Sequence, residues 1–448
     1  MHHLRRIGGF ALLPGLSMLA SLVILPLISA RFGSPGWVAL ALGQSVGAVA
    51  SVVAGLAWPV IGGNAVAAAA DTAAQQDIFR SSVYSRLLVL VVLIGCAAPL
   101  TVVLAPSYPW SAVLFMVGVA GNALSAAWYF AGLGAPRLLV LNEGVVRFVG
   151  YVVALAGLSL GAPLIWYAAC TAVAAFVMLA LNWRSIIGRG PLWVPGTIRL
   201  ALDPVRTQLA GTVSRVLRAL FTFGGPTIYA AVAPVQLPLF SALDQVQKAG
   251  TNTLAFLPDG FVHWVGSAGN QAQRRIRQSL LFLGLVSLAL VPGWLLLGPT
   301  VVNLLYAGRV TLAWPLHLLL VVAIAGQLVV TSMELLLMVP LGHTAAVYRG
   351  TTTISLLGLV LLVIAAPTAG AVGGLVVWVI VQVLLVAFYL LTLRRSRRGR
   401  GSAGDVVAEA ALGLEEERDM PSRSSSRSAL PSSRNWWKLR KALRRRPA

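Results

Sequence analysis

About twelve apolar stretches, each near twenty residues long, run from Gly8 to Leu393, and lysine or arginine fills almost every second gap between them. A bilayer's hydrocarbon core takes about 20 apolar residues per helix. Only helices or closed barrels satisfy their backbone hydrogen bonds there. Short cytoplasmic loops keep the positive charge. The basic gaps hold Arg5 and Arg6, Arg80 and Arg86, Arg137, the group from Arg184 to Arg206, the group from Arg274 to Arg277, Arg349, and Arg394 onward. The intervening gaps hold Arg31 and Arg309. The alternation predicts a multi-pass protein of the cytoplasmic (inner) membrane, with an even number of spans and both termini cytoplasmic.

Composition excludes other classes. Hydrophobic residues make up 58% and charged residues 10%, far from the roughly 25% charged of a soluble domain. The net charge of +21 resides largely in loops and the tail, so it argues for topology and not for nucleic acid. Cys96 and Cys170 both fall inside apolar stretches, which leaves no basis for a disulfide framework or a zinc site. The first stretch lacks an A-x-A-like cleavage site and reads as a retained span. No G-x-x-x-x-G-K-[ST] loop occurs, and His263, His317 and His343 have no metal spacing. The sequence therefore predicts neither an enzyme nor a cofactor or metal.

The expected spans cover roughly 8–29, 37–66, 87–105, 110–131, 139–159, 162–182, 208–232, 239–263, 278–298, 313–338, 351–367 and 371–393. The basic, proline-containing gap between the sixth and seventh divides the chain into a first bundle (1–182), a cytoplasmic linker (183–207) and a second bundle (208–393). The residues from 394 to 448 carry 15 basic and 6 acidic side chains among Ser and Gly, and read as a disordered basic tail. Its Trp436-Trp437-Lys438 cluster would bind anionic inner-leaflet lipids. Leu133-Gly134 ends the fourth stretch and Leu341-Gly342 the tenth, an offset of 208 residues. Such parallel repeats place a transporter's substrate site between the halves. The fold class is thus an all-α polytopic membrane protein of about twelve transmembrane helices, in two six-helix bundles around a central cavity.

Ionisable residues inside a membrane are costly and face a bundle interior, a partner or water. Glu143 and Arg147 stand four apart in the fifth span, and Asp244 and Lys248 repeat that spacing in the eighth. Each reads as an intrahelical pair that lowers the cost of burial, as part of a polar cavity, or as both. Arg215 and Arg218 stand three apart in the seventh span with no acid nearby on that helix. They read either as snorkelling side chains or as an anion site suited to phosphate. Asp259 and Glu334 lie near span ends, where boundary placement accounts for them.

Two segments resemble a known family. Residues 127–150, AWYFAGLGAPRLLVLNEGVVRFVG, are similar to the junction of the fourth and fifth spans in Wzx-type polysaccharide flippases, through Trp128, Tyr129, Gly132, Arg137, Asn142 and Arg147. Residues 298–319, GPTVVNLLYAGRVTLAWPLHLL, resemble the family's segment before its tenth span. The family belongs to the multidrug/oligosaccharidyl-lipid/polysaccharide (MOP) superfamily. The resemblance implies an alternating-access flippase carrying polyprenyl-pyrophosphate-linked oligosaccharide from the inner to the outer leaflet. It implies substrate-binding cations, carried here onto Arg147, Arg215, Arg218 and Lys248. A polysaccharide polymerase or glycosyltransferases would be partners. Two alternatives stay open: a cation-coupled small-molecule exporter of the same superfamily, with Glu143, Asp244 or Asp259 as coupling carboxylate, and a non-transporting membrane scaffold.

Overall fold

A computed structural model describes residues 2–191, 196–266 and 271–418. Two long helices set the architecture, and each bends at a glycine with positive φ. His2–Ala54 breaks at Gly33 (φ 63°), and Thr344–Arg418 breaks at Gly370 (φ 58°). Only a residue without Cβ adopts this backbone freely. Each long helix therefore enters the count as two. The helices are α1 (2–32), α2 (34–67), α3 (Thr72–Leu104), α4 (Pro109–Gly132), α5 (Pro136–Ser159) and α6 (Leu164–Ile186). After them come α7 (197–232), α8 (Leu237–Gly266), α9 (Ala272–Leu305), α10 (Trp314–Met338), α11 (344–369) and α12 from 371. Among the described residues, eight helices are long and apolar enough to span a membrane, two of them the bent ones. The helices outside that set, α7 and α8, carry Arg215, Arg218, Asp244, Lys248 and Asp259. The chain is an all-α polytopic membrane protein.

The spans match those expected, but several helices begin earlier than hydropathy places them. Asp71 caps α3 by accepting the Ala74 N–H at 2.8 Å, so α3 starts fifteen residues before the expected 87. Likewise α7 starts at Thr197, and the supposed linker 183–207 is largely helical. Hydropathy detects the part of a helix that lipid surrounds and misses an amphipathic extension. Arg199 and Asp203, an i,i+4 pair at 3.5 Å, belong to such an extension.

Contacts group the residues through Leu391 into one unit and Thr392 onward into a second. In the first, α4 packs on α6 and α5 on α6, while α8 and α9 pack on α10. The bent α1–α2 pair lies against α4, where Gly43 and Gly47 approach the Ala112 and Met116 carbonyls so closely that a Cβ would sit within 2.6 Å of them. Small residues permit such close helix contacts in membranes. The same pair packs on α7 and α8, and so joins the two halves of the sequence. In the second unit, residues 392–418 are helical, where the change of composition led us to expect a disordered tail. Val406 to Arg418 is rich in Ala, Leu and Glu, strong helix formers. The Trp436-Trp437 cluster lies outside the described residues.

Candidate functional site

Seven helices, α1, α2, α4, α5, α6, α8 and α9, enclose a cavity of about 240 Å³ between the two halves of the sequence. Two cations line it, Arg147 from α5 and Lys248 from α8. Each follows by four residues the carboxylate it pairs with, but the two pairs differ. Lys248 Nζ lies 2.6 Å from Asp244 Oδ2, with both side chains under 10% exposed, and above the Phe223 ring at 5.4 Å. Arg147 Nη2 lies 3.6 Å from Glu143 Oε2 and is 37% exposed. Its Nε meets Met178 Sδ at 3.3 Å. Arg147 is therefore the freer charge. Neutral amides share the wall, Gln44, Asn122, Gln245 and Asn252, with the rings of Trp37 and Tyr151 among them. No carboxylate is among the lining residues.

Glu143 reaches its position through a π-turn, Val140–Val145, in α5. Such turns shift the register of side chains and often occur at functional sites. Glu143 accepts from Ser125 Oγ (2.7 Å), Ala126 N (2.7 Å) and Asn182 Nδ2 (3.1 Å). The first two belong to a break in α4, where a 3-10 turn (Gly121–Leu124) is followed by an extended Ser125. A broken helix frees backbone groups that hydrocarbon cannot satisfy. Here Glu143 takes the freed N–H, and a buried arginine takes the freed carbonyls. Arg86 donates Nη1 to Ala123 O (2.7 Å) and Ser125 O (2.9 Å), its Nε to Ser82 O (3.1 Å), and stands 5.7 Å from the Trp128 ring.

Sequence reading placed Arg86 in a loop, yet it is 0% exposed. The signal was present: Phe79, Val83 and Leu90 are buried on the same helical face, and Arg86 falls in their 3.6-residue register. The cavity amides were also missed, since uncharged polar residues barely lower the hydropathy of a span.

Arg215 and Arg218 do not line the cavity. Arg218 Nη2 lies 3.2 Å from Glu334 Oε2 on α10, so the acid absent from its own helix comes from a neighbour. Glu334 stands four residues from the end of α10, near the boundary as expected, and it is also engaged by neighbouring helices. It is buried, opens a π-turn (Glu334–Met338), and accepts from Tyr389 OH at 2.7 Å, while that hydroxyl stands 3.2 Å from Thr351 Oγ1. The 208-residue offset maps Glu143 onto Thr351, Ala126 onto Glu334, and Asn182 onto the neighbour of Tyr389. Both halves thus carry a buried polar knot at equivalent places, with its carboxylate on α5 in one and on α10 in the other. Asp259 joins no cavity wall. Asp244 Oδ1 is buried without a hydrogen-bond partner.

The halves are tied together beside the cavity and beyond it. Ser29 Oγ donates to Tyr306 O (2.7 Å) and Arg309 Nη2 to Ala30 O (3.1 Å). Ser45 Oγ donates to Phe223 O (2.6 Å), at the break between the two parts of α7. Arg215 donates to Leu56 O, twelve residues beyond Gln44 of the cavity wall, and Ala57 N donates to Gln208 Oε1 at 3.0 Å.

No protein-family model matches the sequence, and no curated protein does. Solved structures do. A eukaryotic MATE transporter, AtDTX14, is 12% identical with a TM-score of 0.58, covering 90% of this chain and 99% of its own. The lipid II flippase MurJ, in an inward closed conformation, is 13% identical with a TM-score of 0.55, covering 97% and 95%. An inward-facing multidrug resistance MATE transporter of the MOP superfamily is 16% identical with a TM-score of 0.51, covering 87% and 94%. The chain shares the fold of these structures. That fold arranges its twelve spans as two six-helix bundles around a central cavity, as the charge alternation and the repeats led us to expect. Identities this low establish the fold and leave the Wzx-type resemblance to be weighed with function.

Proposed function

We propose that this protein is an alternating-access flippase that carries a polyprenyl-pyrophosphate-linked oligosaccharide from the inner to the outer leaflet of the cytoplasmic membrane. The observation that carries the reading is the cavity wall: cations from both halves, no carboxylate, and amides and rings between them. A sugar-pyrophosphate head loses its water hydrogen bonds in hydrocarbon. Arg147 and Lys248 supply charge-assisted bonds to its phosphates, and the amides replace water around its sugars. The prenyl tail remains in lipid. The Wzx-type resemblance over residues 127–150 includes Arg147 itself, and one MOP-fold neighbour is described as a lipid II flippase. A carrier of cationic drugs fits less well, because the carboxylates that pair with Arg147 and Lys248 stand behind the wall and do not line it.

At about 240 Å³ the cavity falls below the roughly 300–1,000 Å³ of ordinary ligand pockets. A sugar-pyrophosphate headgroup needs more room than this, and in the proposed cycle it enters when one end opens. Opening at the Leu56 end frees Arg215, which with Arg218 meets the incoming pyrophosphate. Closure at that end and opening at the Arg309 end completes the cycle.

Binding tests this reading. Purified protein in nanodiscs is titrated with farnesyl pyrophosphate and with farnesol. The pyrophosphate binds, farnesol does not compete, and Arg147→Gln weakens binding about tenfold, the loss of one hydrogen bond to a charged group. Equal affinity for both compounds, or full affinity in Arg147→Gln, contradicts it.

A further inference from the structure

Glu143 touches two things that a carrier must coordinate. On one side it is paired, loosely, with the cation most exposed to the cavity. On the other it holds the N–H and the hydroxyl of the break in α4, whose carbonyls Arg86 holds. It also accepts from Asn182 on α6, so α4, α5 and α6 meet at one carboxylate. We propose that Glu143 is a positioning residue that transmits occupancy of the cavity, sensed at Arg147, to the break in α4. The inference rests on the reading of the cavity as an anion site.

The physical sequence is short. A phosphate in the cavity draws the Arg147 guanidinium away from Glu143, because a dianion outcompetes a carboxylate already 3.6 Å distant. Glu143 then keeps its full charge for Ser125, Ala126 and Asn182, and those bonds tighten. The α4 break stiffens, and with it the wall that Asn122 contributes to the cavity. Lys248 has no such freedom, since its 2.6 Å bond to Asp244 is already close. The two cations thus divide the work, one signalling and one fixed. Glu143 has no direct contact with the cavity and acts only through Arg147 and α4.

Hydrogen exchange of the full-length protein in nanodiscs, with and without farnesyl pyrophosphate, tests the coupling. Ligand should slow exchange of the amides across 121–130 severalfold in the native chain. Glu143→Gln keeps an acceptor for Ala126 but not the charge. It should bind the pyrophosphate at least as tightly as the native chain, since Arg147 then has no carboxylate to leave, yet lose the slowing, and lower turnover without raising the half-saturating concentration. Ser125→Ala, which leaves Glu143 and its charge in place, should reduce the slowing by weaker uncoupling, and serves if Glu143→Gln does not fold. A native chain that binds the pyrophosphate without slowing across 121–130 overturns the coupling and leaves the anion site intact. Slowing retained in both variants overturns it as well. A native chain that does not bind the pyrophosphate removes the anion site, and the coupling with it.

Discussion

Arg215, on the first part of α7, donates to the carbonyl of Leu56, the residue at which α2 turns through a positive φ of 49°. A bulky residue with that backbone is strained. The next amide, Ala57, is held by Gln208 of the same helix. Both groups that the turn exposes are therefore secured by α7, across the boundary between the halves, as the proposed cycle requires of the Leu56 end.

Removing the latch should open that end. Arg215→Met deletes a hydrogen bond from a charged donor, about 1.5–3 kcal/mol, enough to shift the open-to-closed ratio tenfold or more. Spin labels on the exposed Ala68, just past α2, and Thr344, at the start of α11, report it. A longer distance population should grow in the variant. An unchanged distribution means that Arg215 does not hold the end shut.

Arg86 should be required for stability and not for recognition. Arg86→Met leaves the Ala123 and Ser125 carbonyls without a donor in the interior. Unsatisfied buried groups cost about 1–3 kcal/mol each, and the apparent Tm in detergent should fall by about 5 °C or more. Farnesyl pyrophosphate affinity of the folded fraction should stay near native. A variant that melts like the native chain contradicts the clamp.

Cys170 gives the cavity a native reporter. It lines the wall, whereas Cys96 lies on an exposed face of α3. In a Cys96→Ser background, a membrane-impermeant thiol reagent should modify Cys170 slowly. Modification should quicken in Arg215→Met and slow again with farnesyl pyrophosphate. Protection by farnesol to the same degree would place the prenyl chain, and not the phosphate, in the cavity.

Topology follows from the loop charges. Reporter fusions at Arg189 and Ser402 should read as cytoplasmic, and at Ser159 and Pro367 as external. An external reading at Arg189 reverses the orientation.

Sequence reading reached the spans because a bilayer imposes length and apolarity on every helix, and it singled out Glu143, Arg147, Asp244 and Lys248 because charge inside a span is rare. Of these Arg147 and Lys248 line the cavity, and the two carboxylates placed in it by sequence stand behind its wall. It brought Arg147 and Lys248 to one inference, and the structure brings them to one cavity. What it could not reach depends on neighbours from other helices. Glu334 meets Arg218 across 116 residues, and Leu56 meets Arg215 across 159. Nothing in the local pattern of either partner announces the other. The early start of α3, and with it the burial of Arg86, was lost for a simpler reason: the helix is polar on one face before it enters lipid.

The central claim is that the cavity carries a lipid-linked anionic head across the bilayer. The direct measurement is the movement of a fluorescent polyprenyl-pyrophosphate lipid between leaflets of proteoliposomes, read by a quencher confined to one side. Native protein should speed that movement well above empty liposomes, and Arg147→Gln should slow it about tenfold with equal protein incorporated. Movement no faster than in empty liposomes, or equally fast in Arg147→Gln, would contradict the account.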